Sequence, residues 1–185
     1  MNNVYYLSSE RIYLREVRLS DVNERYYSWL NDPEIYQFLE TRFVPRSLDN
    51  IADFVKRMDA KENEPFMAIC LKENDLHIGN IKLGPINWHH RNADISLFIG
   101  DKNYWGKGLA TEAIQVVTDY AFHMLNLNKI KAGCHATNLG SMKAFEKCGY
   151  LQEGLLRSHG MSNGVLYDAV LLGITAQDYW QGVKK

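Results

Sequence analysis

The sequence predicts a mixed α/β domain, and three stretches predict it. In the first, the apolar run 93–100 reads as a buried strand and a glycine loop follows at Tyr104-Trp105-Gly106-Lys107-Gly108. Apolar residues then recur at Ala110, Ala113, Ile114, Val117, Tyr120, Ala121, Met124 and Leu125, spacings of three and four that give one face of a helix. In the second, Lys129–His135 reads as another strand and leads into the stretch 138–150. In the third, apolar runs around 150–156 and 165–174 are separated by Ser162-Asn163-Gly164, and Asn-Gly is a strong hairpin signal. Strands and helices mixed in this way have to bury their apolar faces against one another in layers.

The remaining elements follow in chain order. Arg11-Ile12-Tyr13-Leu14-Arg15 alternates and reads as the first strand. Ser20 then offers a helix N-cap, with Val22, Tyr26, Trp29 and Leu30 on a helical period. Asp32-Pro33 reads as a cap and first helical position of a short helix holding Ile35 and Leu39. Ser47 caps a third helix with Ile51, Phe54, Val55 and Met58 on one face. Phe66–Leu71 is a buried strand, Glu73-Asn74-Asp75 a turn, and His77–Leu83 the hairpin partner. Trp88 to Asn92 makes a polar turn before the central strand, and Thr175 with Asp178 reads as a terminal helical cap.

Composition narrows the class. A chain of 185 residues suits one domain, 1–185, with a sizeable core. A hydrophobic content of 46% and a net charge of -1 describe an ordinary globule and give no support to nucleic-acid or membrane binding. Three cysteines without metal-ligand spacing, in a chain with no signal-peptide pattern, point to a reducing cytoplasm. His89-His90 does not predict metal, because neighbours on an extended chain point to opposite sides and no acidic or cysteine partner sits at ligand spacing.

The glycine loop is where chemistry starts. A strand–glycine–helix junction turns backbone N–H groups toward one point at a helix N-terminus, where unpaired donors and the helix dipole both favour an anion. Gly106 and Gly108 let a diphosphate reach the main chain, and Lys107 adds charge. A Walker A loop needs Ser or Thr after the lysine and finds Gly108; a dinucleotide fingerprint needs a third glycine and finds Thr111. A glycine turn with no ligand remains the alternative on this loop alone.

The second stretch decides between them. Asn138-Leu139-Gly140-Ser141-Met142-Lys143-Ala144-Phe145-Glu146-Lys147-Cys148-Gly149-Tyr150, downstream of Trp105-Gly106-Lys107-Gly108-Leu109-Ala110, resembles the two spaced motifs of the GNAT superfamily of acyl-CoA N-acyltransferases. It is similar to the branch that includes the ribosomal-protein N-terminal acetyltransferases, with Trp105 in place of the usual Gln or Arg side chain of the loop. The resemblance implies an α/β (α+β) fold, a mostly antiparallel sheet of about seven strands flanked by helices and splayed between two central parallel strands. It implies acetyl-CoA as co-substrate, its pantetheine arm lying along Leu97, Phe98 and Ile99. The diphosphate would sit on Trp105, Gly106, Lys107, Gly108, Leu109, Ala110 and Thr111, with Asn138, Ser141, Phe145 and Lys147 on the other side. A small-molecule amine accepts the acetyl group, and a homodimer is compatible with the reading.

The acceptor wall is expected in 26–42. That segment resembles enzymes that acetylate amino groups of nucleotide-linked sugars. Trp29, Tyr36 and Phe38 offer apolar faces to a sugar or base, and Glu40 and Arg42 can bind hydroxyls or a phosphate. Trp29 and Phe38 as core, with Glu40 and Arg42 as a solvated pair, is the alternative. Asn80 and Trp88 complete the acceptor candidates.

Amide formation needs a neutral amine, an acceptor for its proton and a proton for the leaving thiolate. Many family members place a tyrosine where this chain has Phe145, which has no proton to give. Ser141, one helical turn earlier, is the candidate donor to the thiolate. The ribosomal-protein branch has a glutamate where this chain has Gly160, so the base is sought at His159 or His135, with Asp94, Glu40 or a water relay as alternatives. A nucleotide-linked amino sugar is the leading acceptor. A protein N-terminal α-amine, a polyamine served by Glu34 and Glu40, or a non-catalytic CoA-binding module are the others.

Overall fold

The computed structural model describes residues 5–183. The chain forms, in order, β1 (Leu7–Ser8), β2 (Ile12–Glu16), α1 (Glu24–Asn31), α2 (Pro33–Tyr36), α3 (Leu48–Asp59), β3 (Phe66–Leu71), β4 (His77–Leu83), β5 (Asn92–Ile99), α4 (Leu109–His123), β6 (Lys129–His135), α5 (Leu139–Lys147), β7 (Leu151–Ser162), β8 (Val165–Thr175) and α6 (Ala176–Val183). One open sheet of eight strands results, in the order β1-β2-β3-β4-β5-β6-β8-β7. Every neighbouring pair is antiparallel except β5 and β6. The strand beyond the expected seven is β1, two residues paired with Leu14 and Tyr13.

Period-two alternation explains why helices cover both faces. On β2 and β3, Ile12, Leu14, Met67, Ile69 and Leu71 enter the large core under α4, while Tyr13, Ala68 and Cys70 point the other way, into a smaller core with Tyr26, Trp29, Ile35, Ile51 and Val55. A strand covered on both sides reads as a continuous apolar run, as β3 does.

The helix starts follow their caps. Asp32 accepts the Glu34 N–H with Pro33 at the first position, and Ser47 accepts the Asn50 N–H. The expectation at Ser20 is corrected. Residues Leu19–Asp21 form a single 3₁₀ turn, and Asn23 caps α1 by accepting from Arg25 and Tyr26. Asp21 is held in that turn by Nη1 and Nη2 of Arg15, each at 2.7 Å, and by the Arg18 N–H.

This ion pair adjoins a buried histidine. His77 is 4% exposed, with Nε2 2.9 Å from the Gly79 carbonyl and 2.8 Å from Asn80 Oδ1, two acceptors that assign the proton to Nε2. Burial holds its pKa below the ordinary 6.5, although Asn80 and Asp21 pull the other way. Below pH 6.5 the unfolded chain therefore binds a proton that the folded chain refuses, and stability is lost as pH falls from 6.5 toward the folded value. We expect the melting temperature to drop between pH 7 and 5, with part of that slope absent in His77→Gln.

Candidate active site

β5 and β6 run parallel through only three pairs, Asn92 with Lys129, Ala93 with Ile130 and Asp94 with Lys131, and then diverge. The Asp94 carbonyl and the Gly100 N–H both bond toward the β4 side, to Gly84 and Ile78. By alternation the backbone groups of Ile95, Leu97 and Ile99 face the gap, where an extended arm can pair with Ile95 and Leu97.

The glycine loop lies beyond that gap. Gly106 and Gly108 sit at φ 71° and 80°, and Gly108 is the N-cap of α4 with no side chain capping it. Apart from its chain neighbours, no atom of the described residues lies within 4 Å of where a Gly106 Cβ would stand. An uncapped helix N-terminus with open space over Gly106 fits a diphosphate. Trp105 does not replace the missing Gln or Arg side chain, because its indole Nε1 donates to the Ile99 carbonyl at 2.7 Å and so ties the loop to β5. Lys107 Nζ lies 5.1 Å from the Tyr104 ring centre. Leu109 is buried, while Ala110 and Thr111 are half-buried along the first turn of α4.

Across the gap, Asn138 caps α5 by accepting the Ser141 N–H at 3.1 Å. The half-buried Ser141 hydroxyl bonds the Cys134 thiol on β6, a thiol whose pKa burial raises and that bond tempers. Phe145 is corrected: at 2% exposure it packs on Tyr150 as core and offers no face to a ligand. Lys147 is exposed in the last turn of α5.

The mouth of the splay gathers five side chains. His135, the last residue of β6, is 8% exposed, and its Nε2 has no hydrogen-bond partner among the described residues. Its ring stacks on Tyr167 with centres 3.5 Å apart and meets Phe38 edge-on at 5.4 Å. Arg42 donates to the Tyr167 hydroxyl at 3.1 Å and pairs with Glu40 at 3.0 Å; its own side chain is buried and its Nε unpartnered among the described residues. Burial and the Arg42 charge both hold the His135 pKa below 6.5, against a smaller opposite pull from Glu40. A neutral imidazole with a free nitrogen is a proton acceptor. No motif or spacing in the sequence singles out Tyr167. It owes its place to Gly160, its partner on β7, where any Cβ would collide with the tyrosine ring.

Other candidates lie elsewhere. Trp29 is buried among Tyr26, His77 and Phe98 and fills the space left by Gly100, so it is core. Asn80, 1% exposed, is engaged with His77 beneath α1. Trp88 is exposed in the β4–β5 turn, at the end of β5 opposite the splay. His159 is exposed on a bulged part of β7 where the register shifts between Leu156 and Gly160. Asp94 is exposed at the closed end of the parallel pair, bridged to Lys131 at 3.2 Å. Tyr36 is half-buried at the end of α2. Asp32 and Glu34 both bind the Lys102 ammonium, at 2.8 and 2.5 Å. Among the described residues no group of His, Cys, Asp or Glu could hold a metal ion, and no helix is long and apolar enough to cross a membrane.

Comparison with known proteins gives the same frame. Residues 11–151 match the family described as an acetyltransferase (GNAT) domain. The chain is 32% identical over 176 residues to the N-acetyltransferase p20 of Bacillus licheniformis, covering 94% of this chain and 97% of that protein. It is 33% identical over 102 residues to a spermidine N(1)-acetyltransferase of Vibrio cholerae, covering 55% of this chain and 58% of that protein. The crystal structure of spermidine N-acetyltransferase from Vibrio cholerae with CoA and spermine superposes with a TM-score of 0.81 at 26% identity, over 91% of this chain and 98% of that one. The splayed parallel pair, the glycine loop and these matches together make the chain a member of the GNAT family of acetyl-CoA-dependent N-acetyltransferases.

Proposed function

We propose that the 185 residues act as one acyltransferase domain that moves the acetyl group of acetyl-CoA directly to a small primary amine, with His135 as proton acceptor. The observation that supports this is the buried, unpartnered Nε2 of His135 at the open end of β6. The amine nitrogen attacks the thioester carbon, the C–N bond forms and the C–S bond breaks. The amine proton passes to His135 Nε2, and the departing thiolate takes a proton from the Ser141 hydroxyl or a water beside it. Three free cysteines suit a reducing compartment.

For the acceptor, the relatives named as spermidine acetyltransferases support a polyamine. Its cationic nitrogens would have to share Asp32 and Glu34 with Lys102. A second reading is favoured by Arg42, a buried cation whose carboxylate partner, Glu40, is 79% exposed in its side chain. Such a group suits an acceptor bearing a phosphate or carboxylate, which a nucleotide-linked amino sugar supplies and a protein N-terminus does less well.

The test is thiol release from acetyl-CoA with spermidine, nucleotide-linked amino sugars and N-terminal peptides, in wild type and Arg42→Met. We expect turnover with a small amine. Spermidine turnover that survives Arg42→Met supports the polyamine, and amino-sugar turnover whose KM rises about tenfold supports the second reading. Turnover with peptides alone moves the function to protein acetylation. CoA binding without turnover of any amine leaves a binding module and overturns the proposal.

A further inference from the structure

The glycine loop is gripped from the far edge of the sheet. Just after β1, the chain turns tightly, with the Ser9 N–H on the Ile12 carbonyl, and this turn faces the start of α4. The Arg11 guanidinium donates through Nη2 to the Lys107 carbonyl at 3.0 Å and through Nε to Glu112 Oε1 at 2.5 Å. Ser9 Oγ and the Arg11 N–H take the second carboxylate oxygen, at 2.6 and 3.3 Å. Glu112 lies in the first turn of α4, and these bonds lower its pKa despite the opposing effect of burial.

Two consequences follow. The peptide joining Lys107 to Gly108 is planar, so its carbonyl and its N–H point in opposite directions. A carbonyl held by Arg11 turns the Gly108 N–H away from Arg11. Gly108, at φ 80° on one side of that peptide, has no Cβ to limit its rotation there, so without a partner the direction of the peptide is less firmly set. Second, Glu112 is an anion at the helix end that must receive a diphosphate, and like charges there repel. Pairing with Arg11 cancels that charge.

We propose that Arg11 is a positioning residue for the diphosphate of acetyl-CoA, acting through the Lys107–Gly108 peptide and through Glu112. This rests on the acetyl-CoA reading of the loop, and it separates the part of the donor that Arg11 serves from the part it does not. Pantetheine has the arm that lies along β5 but no diphosphate. Calorimetric titration of CoA and of pantetheine into wild type, Arg11→Met and Arg11→Lys therefore isolates the effect. We expect Arg11→Met to weaken CoA about tenfold or more and to leave pantetheine unchanged. Arg11→Lys keeps a charge beside Glu112, but one ammonium does not reproduce the planar fork that spans Glu112 and the Lys107 carbonyl. It should show a smaller loss, again confined to CoA, and it supplies the answer if the methionine variant fails to fold. Equal weakening of both ligands, or of neither, overturns the proposal. A wild type that binds no CoA overturns the reading of the loop itself.

Discussion

Replacing His135 by asparagine is expected to lower kcat/KM for the acceptor by about 100-fold to 1000-fold, the range that a positioned general base contributes. Binding of acetyl-CoA should be unchanged, because His135 lies at the mouth of the splay and the diphosphate loop lies beyond β5. The pH profile makes the prediction specific. The imidazole accepts a proton only when neutral, and burial with the neighbouring Arg42 keeps its pKa below 6.5. In wild type, kcat/KM therefore loses activity through His135 only below pH 6.5. That acid limb should vanish in His135→Asn, while any limb from the acceptor amine, which titrates at higher pH, stays in both. A variant with the same acid limb as wild type would remove His135 from the mechanism.

Gly160→Val is expected to act on the same histidine from behind. A side chain at 160 occupies the place of the Tyr167 ring, and that ring must swing off His135 and away from Arg42. Overfilling of this kind costs about 1–3 kcal/mol, and in a chain of this size the melting temperature should fall by about 5 °C. Activity should fall further than stability explains, about tenfold in kcat/KM at a temperature where the variant is folded. A stable variant with full activity would show that the stacking of Tyr167 on His135 has no part in catalysis.

Local chemistry made much of the fold legible. Asn163-Gly164 turns the β7–β8 hairpin with both residues at positive φ, Asn138 caps α5, and the apolar run of β3 is a strand covered on both faces. The glycine loop announced itself because positive φ at a helix start requires glycine. Side-chain direction was harder to read. Trp29, an aromatic in the expected acceptor wall, turns inward because Gly100 leaves a space its indole fills. Periodicity does not single out Tyr167, because β7 bulges between Leu156 and Gly160, with Ser158 at φ 49° and its N–H on the Asp168 carboxylate. The bulge resets which residues face each other, and no periodicity records it. Arg11 and Glu112 stand 101 residues apart, and no spacing rule links them.

The three-rung contact between β5 and β6 has one more consequence. Past Asp94 and Lys131 the sheet has an edge in its own interior, with a strand on either side and no further pairing between them among the described residues. An outer edge admits any extended chain that collides with it. An inner edge admits only what is thin enough to enter lengthwise, so it sorts donors by cross-section before any side chain meets them. The sheet thereby protects an adhesive surface by enclosing it and leaves it open to a ligand built like a strand.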